Sequence, residues 1–259
     1  MPDFRSARGV TVIEATIVVA TVALLSAILA PAAAIYIDQA RQARTREDIK
    51  SIGDAINEFI ADTGEHQFLR NGSNGGSDEI PPTRADSNRV DILVSDGDIP
   101  TLATAVSSET LWTQTVNGTS VDTFSNHLAE NLPGEVSTSR YRNPTDMTIA
   151  FPGGNNIDFA RADSSGLNAP HAWRGPYIPS PVNSDPWGNR YTANVAWLDP
   201  SPTAVVSGIT AGFGTGDYPR LDVFVLSAGP DEEIDTKIAQ DGAVPGDDDF
   251  LFMVSSNAK

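Results

Sequence analysis

Residues Val10 to Ile37, VTVIEATIVVATVALLSAILAPAAAIYI, form an apolar run with a single charge, Glu14. As a helix rising about 1.5 Å per residue it reaches about 42 Å, more than the roughly 30 Å hydrocarbon core of a bilayer. The run predicts one membrane span, and whatever else the chain folds into must accommodate it. A secretory signal peptide accounts for Arg5 and Arg8 before the run and for Ala32-Ala33-Ala34 near its end. Its apolar core, however, is about 7–15 residues and carries no acid. An ordinary anchor fits the length, but a carboxylate at the centre of a span costs about 2.5–3.5 kcal/mol on insertion scales. Glu14 lies only a turn from the polar end, so a snorkelling or protonated acid is the plain alternative. Arg5 and Arg8 flank one side, and Arg41, Arg44, Arg46 and Lys50 the other, so the positive-inside count does not set the orientation.

The string Arg8-Gly9-Val10-Thr11-Val12-Ile13-Glu14 accounts for every odd residue at once: a short basic stretch ends in Gly, an apolar residue follows, and Glu stands four positions later. Together with Pro31 inside the apolar helix, it resembles the class III signal of type IV pilins and pseudopilins. The resemblance implies a leader over residues 1–9, cleavage after Gly9 by prepilin peptidase and N-methylation of Val10, where the family usually has Phe. It also implies a cytoplasmic N-terminus with the globular part outside. The Glu14 carboxylate then lies near a new terminal ammonium, and such a pair attracts strongly in a low-dielectric helix bundle. A filament subunit can use that pair to set axial register.

Past Ile37 the pattern becomes amphipathic. Ile49, Ile52, Ile56, Phe59 and Ile60 form one helical stripe, expected to pack on a sheet. Span and stripe predict one helix from about Thr11 to Asp62, kinked at Pro31 and stopped by Asp62-Thr63-Gly64. Residues 65–100 read as loop. Val121, Phe124, Leu128 and Leu132 predict a helix over 121–132, with His127 beside the stripe, partly exposed and without a partner. Strand signals follow at 147–151, 190–197, 221–226 and 250–254, and Tyr191, Ala193, Val195 and Trp197 alternate with polar residues as in a strand buried on one face. The expected fold is α+β and pilin-like: a helix over 10–64 and a head over 65–259 with a small antiparallel sheet. Within the head, 65–170 is an atypical expansion and 171–259 the β-rich part.

Gly175-Pro176-Tyr177 and Asp185-Pro186-Trp187-Gly188-Asn189 resemble a pair of strings in the major pseudopilins of type II secretion, and their Pro and Gly residues suit tight turns. Ser227-Ala228-Gly229-Pro230-Asp231 is followed about fifteen residues later by Gly246-Asp247-Asp248-Asp249-Phe250. A loop with an Asp at its entry and acids at its exit can wrap Ca²⁺, which takes six to eight oxygens. The pseudopilin pattern carries calcium at this place. By that resemblance Asp231 is the first acid, and Asp248 with Asp249, or Asp247 with Asp248, the later pair; the intervening loop is longer than the family's usual one. The alternative is a solvated acidic turn.

Seventeen Lys and Arg against 34 Asp and Glu give a formal charge of −17, which disfavours nucleic acid. With no Cys there are no disulfides or thiolate sites, and the three His show no zinc-ligand spacing. No Gly-x-Ser-x-Gly elbow or Walker pattern occurs, so no enzyme is expected. The resemblance implies a homo-oligomeric filament subunit of a type II secretion pseudopilus. Its partners would be prepilin peptidase, secretion-platform proteins and minor pseudopilins, and its place the inner membrane with the head in the periplasm. A surface type IV pilus subunit is the near alternative. A membrane-tethered calcium-binding or hydrolytic domain is the distant one.

Overall fold

The computed structural model describes residues 10–63, 68–69, 89–90, 92–104, 106, 121–132, 139–141, 155–157, 173–198, 222–237 and 245–254. The chain divides into two compact units, Met1–Ala43 and Arg44–Lys259. Helix α1, Val12–Thr63, has 52 residues and continues through Pro31. Both ends fall within a residue of the sequence expectation; the expected stop at Gly64 and the leader residues 1–9 lie outside the described residues.

In the first unit the helix is long and apolar enough to cross a membrane, and none of its apolar stretch is buried. Its large side chains between Val12 and Ile37 are more than half exposed. Two of its hydroxyls bond back to the helix: Thr16 Oγ1 donates to the Val12 carbonyl at 2.8 Å and Thr21 Oγ1 to that of Val18 at 2.9 Å. Polar groups satisfied within their own helix are what a span through lipid demands.

The second unit is built on the stripe. Ile49, Ile52, Ile56 and Phe59 are buried and Ile60 packs against them, as the spacing predicts. The strands are β1 (Phe68–Leu69), β2 (Arg89–Val90), β3 (Ile92–Val94), β4 (Thr101–Leu102), β5 (Val121–Thr123), β6 (Ser139–Tyr141), β7 (Asn155–Ile157), β8 (Thr192–Ala193), β9 (Val223–Ser227), β10 (Glu233–Ile234) and β11 (Phe250–Val254). Five form the central sheet in the order β11-β9-β8-β3-β5. Its first three pairings are antiparallel and the last, β3 with β5, is parallel. The expected α+β layout is present, but the sheet is mixed rather than antiparallel. The reason lies at Val121-Asp122-Thr123: the β-branched pair joins the sheet edge as a strand, and only one π-helical turn, Ser125–Ala129, follows. Phe124 and Leu128 keep the predicted spacing and both enter the core.

The sheet is covered on both faces. Leu93, Ala193, Val223 and Val225 join the helix stripe in one core, whereas Ile92, Val94, Phe224 and Leu226 form a second with Ala103, Val106 and Ile234. The polar positions read as solvent-facing are therefore buried: Thr192 and Asn194 are 0% exposed. Asn194 meets the requirement by bonding backbone, accepting from Phe224 N at 2.8 Å and donating to the Asp222 carbonyl at 3.1 Å. The predicted strand 190–197 shortens to Thr192–Ala193, followed by a 3₁₀ turn at Val195–Leu198. The run 250–254 is a strand as read, 221–226 is shifted by a residue or two, and 147–151 lies outside the described residues.

Candidate functional site

Glu14 lies in the first turn of α1, and its carboxylate is engaged within the chain. Glu14 Oε2 accepts from Thr11 N at 2.9 Å and from Thr11 Oγ1 at 3.0 Å, while Glu14 N donates back to Thr11 Oγ1 at 3.2 Å. This is a capping box: Thr11 is the N-cap and Glu14 the third helical residue, satisfying backbone donors that a helix start leaves orphaned. The Thr-x-x-Glu spacing that signals it stands in the sequence, and reading Glu14 only as the partner of a terminal ammonium misses it. Val10 is exposed beside it, and Gly9 lies outside the described residues.

In the second unit the Asp-Pro-Trp-Gly-Asn turn meets the end of β9 at Ser227. Asp185, 3% exposed, accepts from Trp187 N at 3.0 Å and Asn189 N at 2.9 Å on Oδ1, closing the Asp-Pro-Trp-Gly-Asn turn, where Gly188 holds φ +104°. Its Oδ2 accepts from Ser227 Oγ at 2.7 Å. Burial pushes the Asp185 pKa upward against these bonds. Ser227 is thus the peg that fastens the turn to β9. Trp187 stacks on Phe250, the first residue of β11, at 5.8 Å, and the Arg46 guanidinium lies 5.0 Å over the same ring. Tyr177 Oη donates to Asp62 Oδ2 at 3.1 Å and Tyr191 Oη to Asp48 Oδ2 at 2.9 Å, so Gly175-Pro176-Tyr177 and the residue just before β8 are both tied to the helix.

The acids of the candidate calcium loop divide their oxygens. Asp248 Oδ2 accepts from Asp231 N at 3.2 Å, and Asp231 Oδ1 accepts from Glu233 N at 2.9 Å. Asp249 Oδ2 accepts from Asp235 N at 3.0 Å, Thr236 N at 2.8 Å and Thr236 Oγ1 at 2.6 Å. The other oxygens, Asp248 Oδ1 and Asp249 Oδ1, are buried with no hydrogen-bond partner. Burial raises the pKa of Asp248, with the Asp231 charge adding to it, and lifts Asp249 to about 6 against its Thr236 bonds. Two orphaned carboxylate oxygens are hard donors of the type Ca²⁺ takes. Asp247 is exposed at φ +23° and Asp231 is exposed, and among the described residues no three acid or His side chains close on one point. The loop therefore brings Asp231 and Asp248 together and ties Asp249 Oδ2 to Asp235 and Thr236, leaving Oδ1 over; backbone carbonyls and water would have to complete an oxygen shell.

A buried cluster escaped the sequence reading. His127 is 0% exposed rather than partly exposed, and Asp122 is its partner, with Nε2 to Oδ2 at 3.1 Å. Asp122 Oδ1 also accepts from Thr123 N and Asn126 Nδ2, each at 2.7 Å. Burial raises the Asp122 pKa, but these bonds and the His127 charge outweigh it and hold it at about 2. Phe68 meets the imidazole edge-on at 5.3 Å and Trp173 Nε1 donates to the His127 carbonyl at 3.0 Å. Half of a triad is present, but no substrate reaches a wholly buried ring whose Nε2 is already bonded. The strand–turn junction that puts Asp122 five residues before His127 is the missing signal, since on a continuous helix residues five apart do not face each other.

A groove of about 110 Å³ is lined by helix residues Arg44, Asp48 and Ile52, loop residues Ile178, Pro181 and Val182, and Tyr191. That is below the roughly 300–1,000 Å³ of drug-sized sites. Comparison with protein-family models, curated proteins and solved structures finds no match.

Proposed function

We propose that this chain is a filament subunit of the type IV pilin-like kind, a major pseudopilin of a type II secretion machine. The observation that carries the reading is α1 itself. One uninterrupted helix begins as an exposed apolar segment whose single early charge is Glu14 and ends as the core stripe of a sheet-bearing unit. A membrane-stored subunit that later enters a helical filament needs both halves. In this reading prepilin peptidase removes residues 1–9 after Gly9, Val10 becomes the methylated N-terminus, and the head lies in the periplasm. Glu14 then exchanges its Thr11 contacts for the Val10 ammonium of a neighbouring subunit, with secretion-platform proteins and minor pseudopilins as further partners. The buried Asp185–Ser227 peg supports the reading by giving the Asp-Pro-Trp-Gly-Asn string and the Ser-Ala-Gly-Pro-Asp string a common structural task.

Calcium belongs to the proposal. Asp231, Asp248 and Asp249, with Asp247 at the rim, would hold it, and the ion would supply a positive charge that relieves crowding among the acids. Binding to the folded state alone stabilises it by about 2.7 kcal/mol at a hundredfold excess over Kd.

N-terminal sequencing and intact mass of the membrane-extracted protein test the processing step; the expected start is Val10, and an intact Met1 or a start after Ala34 refutes it. Glu14→Ala is expected to keep membrane levels and lower filament yield, since removing the acid eases insertion while deleting the intersubunit pair. Normal filaments from that variant count against the assembly role.

A further inference from the structure

Asp249 is held by a residue that no charge pattern in the sequence singles out. Thr236 is 1% exposed and uses its hydroxyl in both directions: Oγ1 donates to Asp249 Oδ2 at 2.6 Å and accepts from Gly246 N at 2.9 Å. Asp249 N donates to the Gly246 carbonyl at 2.8 Å, which closes a ring of three residues. Gly246 permits this because a Cβ there would stand 2.5 Å from Asp235 Cβ and 2.8 Å from Thr236 N. With Oδ2 taken by three donors, Asp249 has one oxygen left, the unpartnered Oδ1 on a side chain only 6% exposed.

We propose that Thr236 is the positioning residue of the calcium site: it fixes Asp249 so that only Oδ1 is offered to the ion, and it fastens the loop to Gly246 before the ion arrives. The inference rests on the calcium reading above. Its physical basis is the length of the segment from Asp231 to Asp249. Closing a longer loop costs more entropy, and a loop already pinned at an interior residue leaves less ordering for the ion to drive. Thr236 pins the loop without adding a ligand.

The test is calorimetric titration of the full-length, detergent-solubilised protein with calcium chloride, accompanied by thermal melts in chelator. Thr236→Val, equal in shape but without the hydroxyl, is expected to raise the calcium Kd about tenfold, because the ion must then order the Asp249 side chain as it binds, with the ion count unchanged. Thr236→Ser is expected to restore the affinity to within about threefold, because it keeps the oxygen. A Thr236→Val protein that melts earlier in chelator yet binds calcium with wild-type Kd makes Thr236 merely structural and overturns the proposal. So does a Ser variant as weak as the Val variant. If Thr236→Val does not fold, Gly246→Ala takes its place, since the new Cβ pushes on the Thr236 amide, and its Kd must rise. A flat titration of the wild-type protein is a different failure: it refutes calcium binding itself.

Discussion

Replacing Asp185 with Ala removes the carboxylate that joins the Asp-Pro-Trp-Gly-Asn turn to β9, and the cost follows from its three bonds. Trp187 N, Asn189 N and Ser227 Oγ all lose their acceptor. A buried donor left unsatisfied costs about 1–3 kcal/mol. Water entering the space left by the side chain serves some of these donors, and deleting a buried charge returns part of its desolvation penalty, so the expected loss is about 3–4 kcal/mol. Asp185→Asn separates charge from connectivity. Its Oδ1 still accepts from both amides, and the Ser227 hydroxyl can turn to accept from Nδ2, so the loss is expected to be about 1 kcal/mol. Urea unfolding of the full chain in detergent, followed by tryptophan fluorescence, measures both. An Ala variant that loses less than about 1 kcal/mol, or an Asn variant as unstable as the Ala variant, refutes the assignment of Asp185 as the joint between the two motifs.

Gly53→Ala places a Cβ into the Phe252 ring, which lies directly on the helix backbone. Overpacking of about 1–3 kcal/mol outweighs the roughly 1 kcal/mol gained in helix propensity, and Phe252→Leu in the same chain is expected to recover the loss in a thermal melt. The Asp122 pKa is lowered to about 2, so its contribution is fully present above the unfolded value near 4 and is lost as pH falls through 2. Acid titration of stability is therefore expected to cost the wild type about 2–3 kcal/mol more than Asp122→Asn over that window, and parallel curves would exclude the pair as a stabilising contact. Thr11→Val removes the hydroxyl of the capping box and is expected to loosen the first turn of α1, seen as faster amide exchange at Val12 to Glu14.

The long helix was legible because two simple patterns carry it: continuous apolarity to Ile37 and a stripe of period 3.6 from Ile49 to Phe59. Strand β11 was legible for the same reason, as a short apolar run bounded by Asp249 and a polar stretch. What the sequence concealed depends on what lies opposite. Alternation at Thr192 and Asn194 reports which face a residue points to, and not whether that face is wet; a second layer containing Ala103, Val106 and Ile234 buries it. Val121 to Leu132 matches a helix by spacing, yet the vacant edge beside β3 takes Val121 to Thr123 as a strand, and this change brings Asp122 to His127. At the loop, the acids stood out by charge, but which oxygen of each is engaged depends on Thr236 and Asp231 amides that composition does not reveal.

Under the proposed assembly role, the Thr11–Glu14 capping box would make recruitment of Glu14 a competition. A lone helix already answers this carboxylate with one backbone amide and one hydroxyl, so an encounter that offers a single weak donor gains little by displacing them. Only a partner that presents a full positive charge in the right place shifts the balance, because the Thr11 amide and hydroxyl are uncharged donors, whereas an ammonium adds the attraction of two opposite charges in a low-dielectric setting. In the proposed filament subunit the cap would act as a threshold: chance meetings of helices in the plane of a membrane would leave it closed, and correctly seated ones would open it.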